Sequence, residues 1–298
     1  MPRAQTRMLP QGACDAHTHV FGPFGSYPLE NPPGYPVPLA PAETHLRMLD
    51  LAGLDRGVLV QPTQQGCNTG IMLDALELGA GRLRGVAAAR ADVSDTELER
   101  LQAAGVIGLR FVEAPLPSGV PRPGAVGFDE IAGLATRLRD LNWSVHVWGR
   151  MATLMDRLDT LLRPDLPVVF EHMGMLEVGE GVHGRHFRTM LGLVREGRVW
   201  VKLSVCRCSV RVPGYEDLRP FTAALLHANP ERLLWGSDWP FIRMQGREPD
   251  VSGLLDVLLD SVDDAGLQRK ILVDNPTALC GFDPVSPVPA PTRRHKEK

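Results

Sequence analysis

Short runs of apolar and β-branched residues alternate along this chain with longer segments whose apolar residues recur at helical spacing. Eight such runs have the length of buried strands, at residues 13–20, 57–62, 84–89, 106–111, 143–148, 167–172, 199–204 and 232–237. Segments between them, such as 44–53 and 128–141, have the period of amphipathic helices. Eight strand–helix units predict a parallel sheet closed into a (β/α)8 TIM barrel, an α/β fold of one domain.

Two predicted connections are unusually long and rich in proline and glycine. They span residues 21–41, after the first strand, and 113–127, after the fourth. In a barrel both would lie at the carboxyl ends of the strands, so we expect them to wall a pocket there.

The ends of the chain have a different composition from its middle. We expect residues 1–12 to form a flexible N-terminus and residues 13–283 to form the barrel. Residues 284–298 have no periodic apolar face and are predicted to be a disordered tail.

The composition argues against some classes of binding partner but does not identify one. The net charge of -3 gives no general attraction to nucleic acid or to an anionic membrane, and no apolar run reaches the roughly 18 residues of a membrane helix. The five scattered cysteines suit a reducing compartment, so we expect a cytoplasmic protein. The sequence leaves the oligomeric state open.

Chemistry-bearing residues stand at the two ends of the predicted barrel sequence. His17 and His19 alternate on the first strand, so both should project to one face, with Asp15 one step deeper. Asp238 follows the last strand. Because a closed barrel makes its first and last strands neighbours, these side chains should meet.

Later strands carry polar residues that core packing alone would not select. They are Arg110, His146, His172, Lys202 and Asp238. Buried charges are costly unless they are paired or used. A structural ion pair, most plausibly one that involves Lys202 or the adjacent Glu171, would account for one of these charges. Five on separate strands indicate a catalytic mouth.

The motifs CDAHTHVFGP, LVQPT, GLRF, LNWSVHV, EHMG and LLWGSDWP resemble the amidohydrolase superfamily, in particular its 2-pyrone-4,6-dicarboxylate lactonase-like branch, over residues 13–282. The resemblance implies a hydrolase that opens a small carboxylated lactone of aromatic or sugar-acid catabolism. Asp238 would act as general base on water. His17, His19 and His172 would polarise the scissile carbonyl.

Many members of this superfamily bind zinc or manganese, which would here involve His17, His19, His146 and Asp238. Alignment on LNW, however, puts Trp148 where the metal-binding branches carry their ligand, and His146 lies about 6–7 Å deeper along the strand. The lactonase branch is thought to work without metal. We therefore expect no required cofactor, with one divalent metal, Zn or Mn, as the alternative.

Several residues near the predicted mouth suit a small anionic substrate. The candidates are Arg110, Thr63, Tyr35, Arg207 and Trp148. Arginine binds carboxylates bidentately. Met175 and Phe241 stand where the lactonase pattern has a basic residue and an imidazole, which predicts a less polar pocket and a lactone with fewer carboxylates.

Three other functions remain compatible with these residues. A metal-dependent decarboxylase and a lactone isomerase would use the same strand positions. A barrel that binds a small anion without turnover is the third.

Overall fold

The computed structural model describes residues 1–285, and its eight strands confirm the predicted barrel. The strands are β1 (Cys14–Thr18), β2 (Arg56–Val60), β3 (Leu83–Ala87), β4 (Val106–Glu113), β5 (Ser144–Gly149), β6 (Val168–Phe170), β7 (Val199–Leu203) and β8 (Leu233–Trp235). They pair in parallel in chain order from β1 to β8. Each falls within two residues of its predicted run.

Backbone contacts just beyond β1 and β8 close the barrel. The Asp238 N–H donates to the His17 carbonyl at 2.9 Å, and the His19 N–H donates to the Trp239 carbonyl at 2.9 Å. Gly236 permits this approach, because a Cβ there would lie 2.6 Å from the Cβ of His17. The first and last motifs of the sequence thus become neighbours.

Helices cover the outside of the barrel. They are α1 (Ala42–Ala52), α2 (Gly70–Leu78), α3 (Asp95–Ala103), α4 (Glu130–Asp140), α5 (Met151–Asp156), α6 (Leu158–Leu162), α7 (Arg185–Arg195), α8 (Arg219–Ala228), α9 (Val251–Ser261), α10 (Ala265–Arg269) and α11 (Asn275–Cys280), with a π-helix at Lys270–Asp274 between the last two. In α7, Phe187, Met190 and Val194 are buried, as the helical spacing of apolar residues predicts. No helix within residues 1–285 is long and apolar enough to cross a membrane.

Two apolar clusters hold the fold together. The larger joins the outward-facing strand residues to the helices, as with Phe111 and Leu134. The smaller joins strand residues such as Val58 and Leu234 to Phe282 of the C-terminal segment. The barrel interior toward the carboxyl ends of the strands is instead lined by buried charged and imidazole groups.

The chain ends contact the rest of the molecule at several points that the structure describes. Arg3 pairs with Asp250 at 3.1 Å, beside the start of α9, and the Gln5 N–H donates to the Leu51 carbonyl at 2.9 Å. The predicted flexibility of residues 1–12 stays a prediction. Of the predicted disordered tail, residues 286–298 lie outside the described residues.

Candidate active site

A cavity of about 250 Å³ opens at the carboxyl ends of the strands. Eight residues singled out from the sequence line it: His19, Tyr35, Thr63, Arg110, Trp148, His172, Arg207 and Asp238. Tyr35 and Arg122 come from the two long proline-rich connections, so both connections contribute to the wall as predicted. Two other predicted site residues do not line the cavity. His17 lies buried behind its wall, and His146 is buried on β5.

Among the described residues that line the cavity, Asp238 is the one carboxylate. Its Oδ1 lies 3.1 Å from Nε2 of His19 and 3.4 Å from Nε2 of His17. Its Oδ2 accepts a hydrogen bond from Nε of Arg207. Burial by itself raises the pKa of Asp238, but the charge of Arg207 together with the neighbouring imidazoles of His172 and His19 holds this pKa well below its ordinary value. Asp238 is therefore ionised across the physiological range.

The backbone that carries the site is strained at two strand ends. Asp238 has a φ of 64°, and the segment from His172 to Met175 has four successive positive φ angles, starting with 49° at His172. Only glycine adopts this region without steric cost, and Gly174 is the single glycine of that segment. Such strain is typical of functional sites, where it aims a side chain.

This turn places the His172 imidazole against the His17 ring, with centroids 4.5 Å apart. Nδ1 of His172 is buried and has no hydrogen-bond partner within residues 1–285. Burial lowers the pKa of His172 to about 4, so the ring is neutral at pH 7.

Behind the cavity, Lys202 on β7 contacts His17. Its Nζ lies 3.1 Å from Nδ1 of His17, and both side chains are fully buried. Burial lowers the pKa of Lys202 to about 8, against the attraction of Glu171, so the ammonium form prevails at pH 7. Burial, followed by the charge of Lys202, lowers the pKa of His17 well below its usual value.

Arg110 is paired inside the protein rather than free for a ligand. Its Nη2 donates to Oε2 of Glu171 at 2.7 Å, and its Nη1 donates to the Gln61 carbonyl at 3.0 Å. Burial raises the pKa of Glu171, but the charges of Arg110 and Lys202, with the hydrogen bonds from Arg110, together lower that pKa. The ion pair expected for Glu171 is therefore present, with Arg110 as the partner.

Two further arginines line the cavity at its rim, and sequence reasoning missed both. Arg122 lies over the Trp148 ring at 5.2 Å, and Arg243 lies over the Tyr35 ring at 5.7 Å. Within the described part of the chain, neither has a carboxylate within 4.0 Å. The only sequence signal was that each lies in a segment following a strand.

The cavity wall is rich in arginine, and the expectation of a pocket less polar than the lactonase pattern stays a prediction. Met175 does line the cavity, but Phe241 is buried outside its wall. Four arginine side chains reach the same space: Arg110, Arg122, Arg207 and Arg243. Two of the four, Arg122 and Arg243, come from loops, which a motif comparison does not follow.

Three buried side chains next to the cavity are potential metal ligands. His17, His172 and Asp238 bring ligand atoms within 4.8 Å of one another. His146, in the ligand set expected from the superfamily, instead places Nε2 3.0 Å from the Ser144 hydroxyl. The Lys202 ammonium at Nδ1 of His17 and the guanidinium on Asp238 supply positive charge where a cation would need negative partners. This cluster does not fit a divalent metal.

A family model described as Amidohydrolase matches residues 14–282. The chain belongs to the amidohydrolase family. Two relatives cover most of its length. A 2-pyrone-4,6-dicarboxylate hydrolase of Comamonas testosteroni is 36% identical over 91% of this chain and 90% of its own. A 4-sulfomuconolactone hydrolase of Rhizobium radiobacter is 33% identical over 94% of this chain and 95% of its own.

A solved structure agrees with the fold. The crystal structure of a protein from Agrobacterium tumefaciens is 27% identical, with a TM-score of 0.83, and the match covers 95% of this chain and 100% of that one. The family and its lactonase-like branch, expected from the motifs, are thereby confirmed.

Proposed function

We propose that this amidohydrolase hydrolyses the ester bond of a small anionic lactone, with Asp238 as general base and without a metal ion. The observation that carries the proposal is the buried, ionised Asp238 carboxylate, whose Oδ1 lies 3.1 Å from His19 and 3.4 Å from His17 at the cavity floor. An ionised carboxylate takes a proton from water, and neighbouring imidazoles stabilise the oxyanion that forms. The two lactone hydrolases among the relatives support this reaction type.

The chemical steps balance without an external reagent. Water attacks the lactone carbonyl carbon as Asp238 takes its proton, and the carbonyl oxygen becomes an oxyanion near His17 and His172. The tetrahedral intermediate then breaks the ring carbon–oxygen bond, and the leaving oxygen receives the proton from Asp238. The product is an open-chain carboxylic acid with a new hydroxyl group, which releases one proton at neutral pH.

Arg207 offers a contact through which a bound substrate would raise the pKa of Asp238. Its Nε binds Asp238 and its Nη1 donates to the Ile242 carbonyl at 2.7 Å, while Nη2 has no partner within residues 1–285. A substrate carboxylate at that free edge would share the guanidinium charge with Asp238. The pKa of Asp238 would then rise toward the range of an effective general base.

The rim favours a substrate with negative charge. Arg110 and Arg207 are neutralised by Glu171 and Asp238, whereas Arg122 and Arg243 lack carboxylate partners in the described chain. We propose that the rim pair binds the carboxylate or sulfonate of the lactone, since guanidinium recognises both oxyanions through paired hydrogen bonds.

The test is a panel of lactones, each paired with its uncharged methyl ester, assayed in isotopically labelled water. We expect proton release, one labelled oxygen in the product carboxylate, and a preference for the charged lactones. A double-bond shift without labelled oxygen would instead indicate an isomerase, and carbon dioxide release a decarboxylase. Tight binding without turnover, equal in Asp238→Asn, would indicate a binding protein.

The metal-free part of the proposal has its own measurement. Protein dialysed against a strong chelator should keep its full kcat/KM and contain no stoichiometric metal by elemental analysis. Loss of activity that returns with zinc or manganese would overturn it.

A further inference from the structure

Lys202 is a fully buried cation that the proposed hydrolysis does not use. Within residues 1–285 the one hydrogen-bond partner of its Nζ is Nδ1 of His17, at 3.1 Å. The titratable groups whose charges act on Lys202 are Glu171, Cys280, Arg110 and Asp15. None of these carboxylates lies within 4.0 Å of its Nζ in the described chain. A buried ammonium with a single imidazole partner needs an explanation other than an ion pair.

We propose that Lys202 is a positioning residue that holds His17 in the tautomer with its proton on Nε2. An ammonium only donates hydrogen bonds, so Nδ1 of His17 must present its lone pair to Lys202. The single proton of the neutral ring then lies on Nε2. That nitrogen has no hydrogen-bond partner in the described structure and lies 3.4 Å from Oδ1 of Asp238.

His19, two residues along the same strand end, is held in the opposite way. Its Nδ1 lies 2.7 Å from the Val60 carbonyl, which only accepts, so Nδ1 carries the proton. Its Nε2 lies within hydrogen-bonding distance of Asp238, 3.1 Å from Oδ1. His17 and His19 are therefore fixed through different ring nitrogens, with a proton on Nε2 in His17 and on Nδ1 in His19.

This assignment deepens the proposed function, on which its catalytic meaning rests. A His17 Nε2–H next to Asp238, just behind the cavity wall, suits the developing oxyanion of a lactone carbonyl, as preorganised donors do in acyl transfer. The same proton occupies the nitrogen through which His17 would ligate a metal. Lys202 therefore selects an oxyanion donor over a metal ligand at a position that the motif alone leaves ambiguous.

The tautomers are measured directly by long-range nitrogen–proton correlation NMR on protein carrying isotope-labelled histidine, without substrate. His17 and His19 signals are assigned by their loss in His17→Asn and His19→Asn. We expect a protonated Nε2 and a bare Nδ1 in His17, and a protonated Nδ1 in His19. A protonated Nδ1 in His17 would overturn the assignment, whether or not any lactone is hydrolysed.

Lys202→Met tests the cause, because methionine has similar length and no donor. We expect the His17 signals to change to a mixture of tautomers while the His19 signals stay. On a lactone substrate, kcat should fall about tenfold or more, with little change in KM, as when an oxyanion donor is lost. Unchanged His17 signals in a folded Lys202→Met protein would contradict the proposal.

Two further variants separate tautomer control from general packing. Ser144→Ala removes the hydroxyl 3.0 Å from the buried His146 imidazole and should leave the His17 signals unchanged. Lys202→Arg keeps a permanent donor and should retain the wild-type tautomer. If Lys202→Met does not fold, the wild-type spectrum still decides the tautomer.

Discussion

The buried inner layer of this active site and its rim differ in the partners of their arginine side chains. In the inner layer, Arg110 is paired with Glu171, and Arg207 is paired with Asp238. At the rim, Arg122 and Arg243 contact aromatic rings and have no carboxylate partner in the described chain. A buried charge needs an internal partner, whereas a rim charge stays solvated until a ligand arrives. The charge of the substrate should therefore be recognised at the rim, and its ester bond should be hydrolysed in the inner layer.

The largest effect should come from removing the inner carboxylate that acts as base. We expect Asp238→Asn to lower kcat on a lactone by about a thousandfold, because the amide cannot take the proton from water. Steady-state kinetics would measure this, with circular dichroism to check the fold. Asp263→Asn, at an exposed position, is the matched control and should keep wild-type activity.

Breaking the other inner pair should cost stability. Glu171→Gln leaves the buried Arg110 guanidinium without its carboxylate, so we expect the free energy of unfolding to fall by about 3–5 kcal/mol. Urea denaturation would measure this. Glu231→Gln breaks an exposed pair with Lys270 and should hardly move the midpoint. If both variants lowered the free energy of unfolding equally, burial would not be the reason for the cost of breaking the Arg110–Glu171 pair.

Asp15 offers a test of the inner layer by pH. Burial raises its pKa to about 7, although its Oδ1 accepts hydrogen bonds from the backbone N–H groups of His17 and Ser237. Between pH 4 and pH 7 the folded state therefore binds more protons at Asp15 than the unfolded state does. This contribution lowers stability as pH rises through that window, by at most about 4 kcal/mol.

Asp15→Asn should abolish that pH dependence. We expect the stability of the variant relative to wild type to increase steadily from pH 4 to pH 7, as followed by urea denaturation at each pH. The lowered pKa of His172 acts in the opposite direction over a similar window, but it is present in both proteins and cancels in the difference. A flat difference would show that Asp15 is ionised throughout.

The smallest effect should come from the rim. Arg122→Met and Arg243→Met should each raise KM for a carboxylated lactone about tenfold while kcat and stability hardly change, since binding alone is weakened. The uncharged methyl ester should be unaffected, and added salt should reduce the difference. Arg211→Met, at an exposed position outside the cavity wall, is the control.

Much of the fold follows from the sequence because strand and helix periodicities are local. The eight strands, the two long pocket-wall connections and the meeting of His17 with Asp238 could all be inferred, since a closed barrel brings its ends together. Local periodicity does not show every break in a helix, because the apolar residues between β5 and β6 fall in two short helices, α5 (Met151–Asp156) and α6 (Leu158–Leu162). The backbone at Arg157, with a φ of -103°, separates the two helices.

The sequence by itself determined the barrel, its family and the strand ends that carry chemistry. Only the tertiary structure decided who partners whom: Arg110 with Glu171, Arg207 with Asp238, and Lys202 with His17. It also brought Arg122 and Arg243 to the rim. The physical reason is that periodicity and β-geometry are set by neighbours in the chain. The charge state, tautomer and availability of a buried group are set by neighbours in space, within a few ångströms.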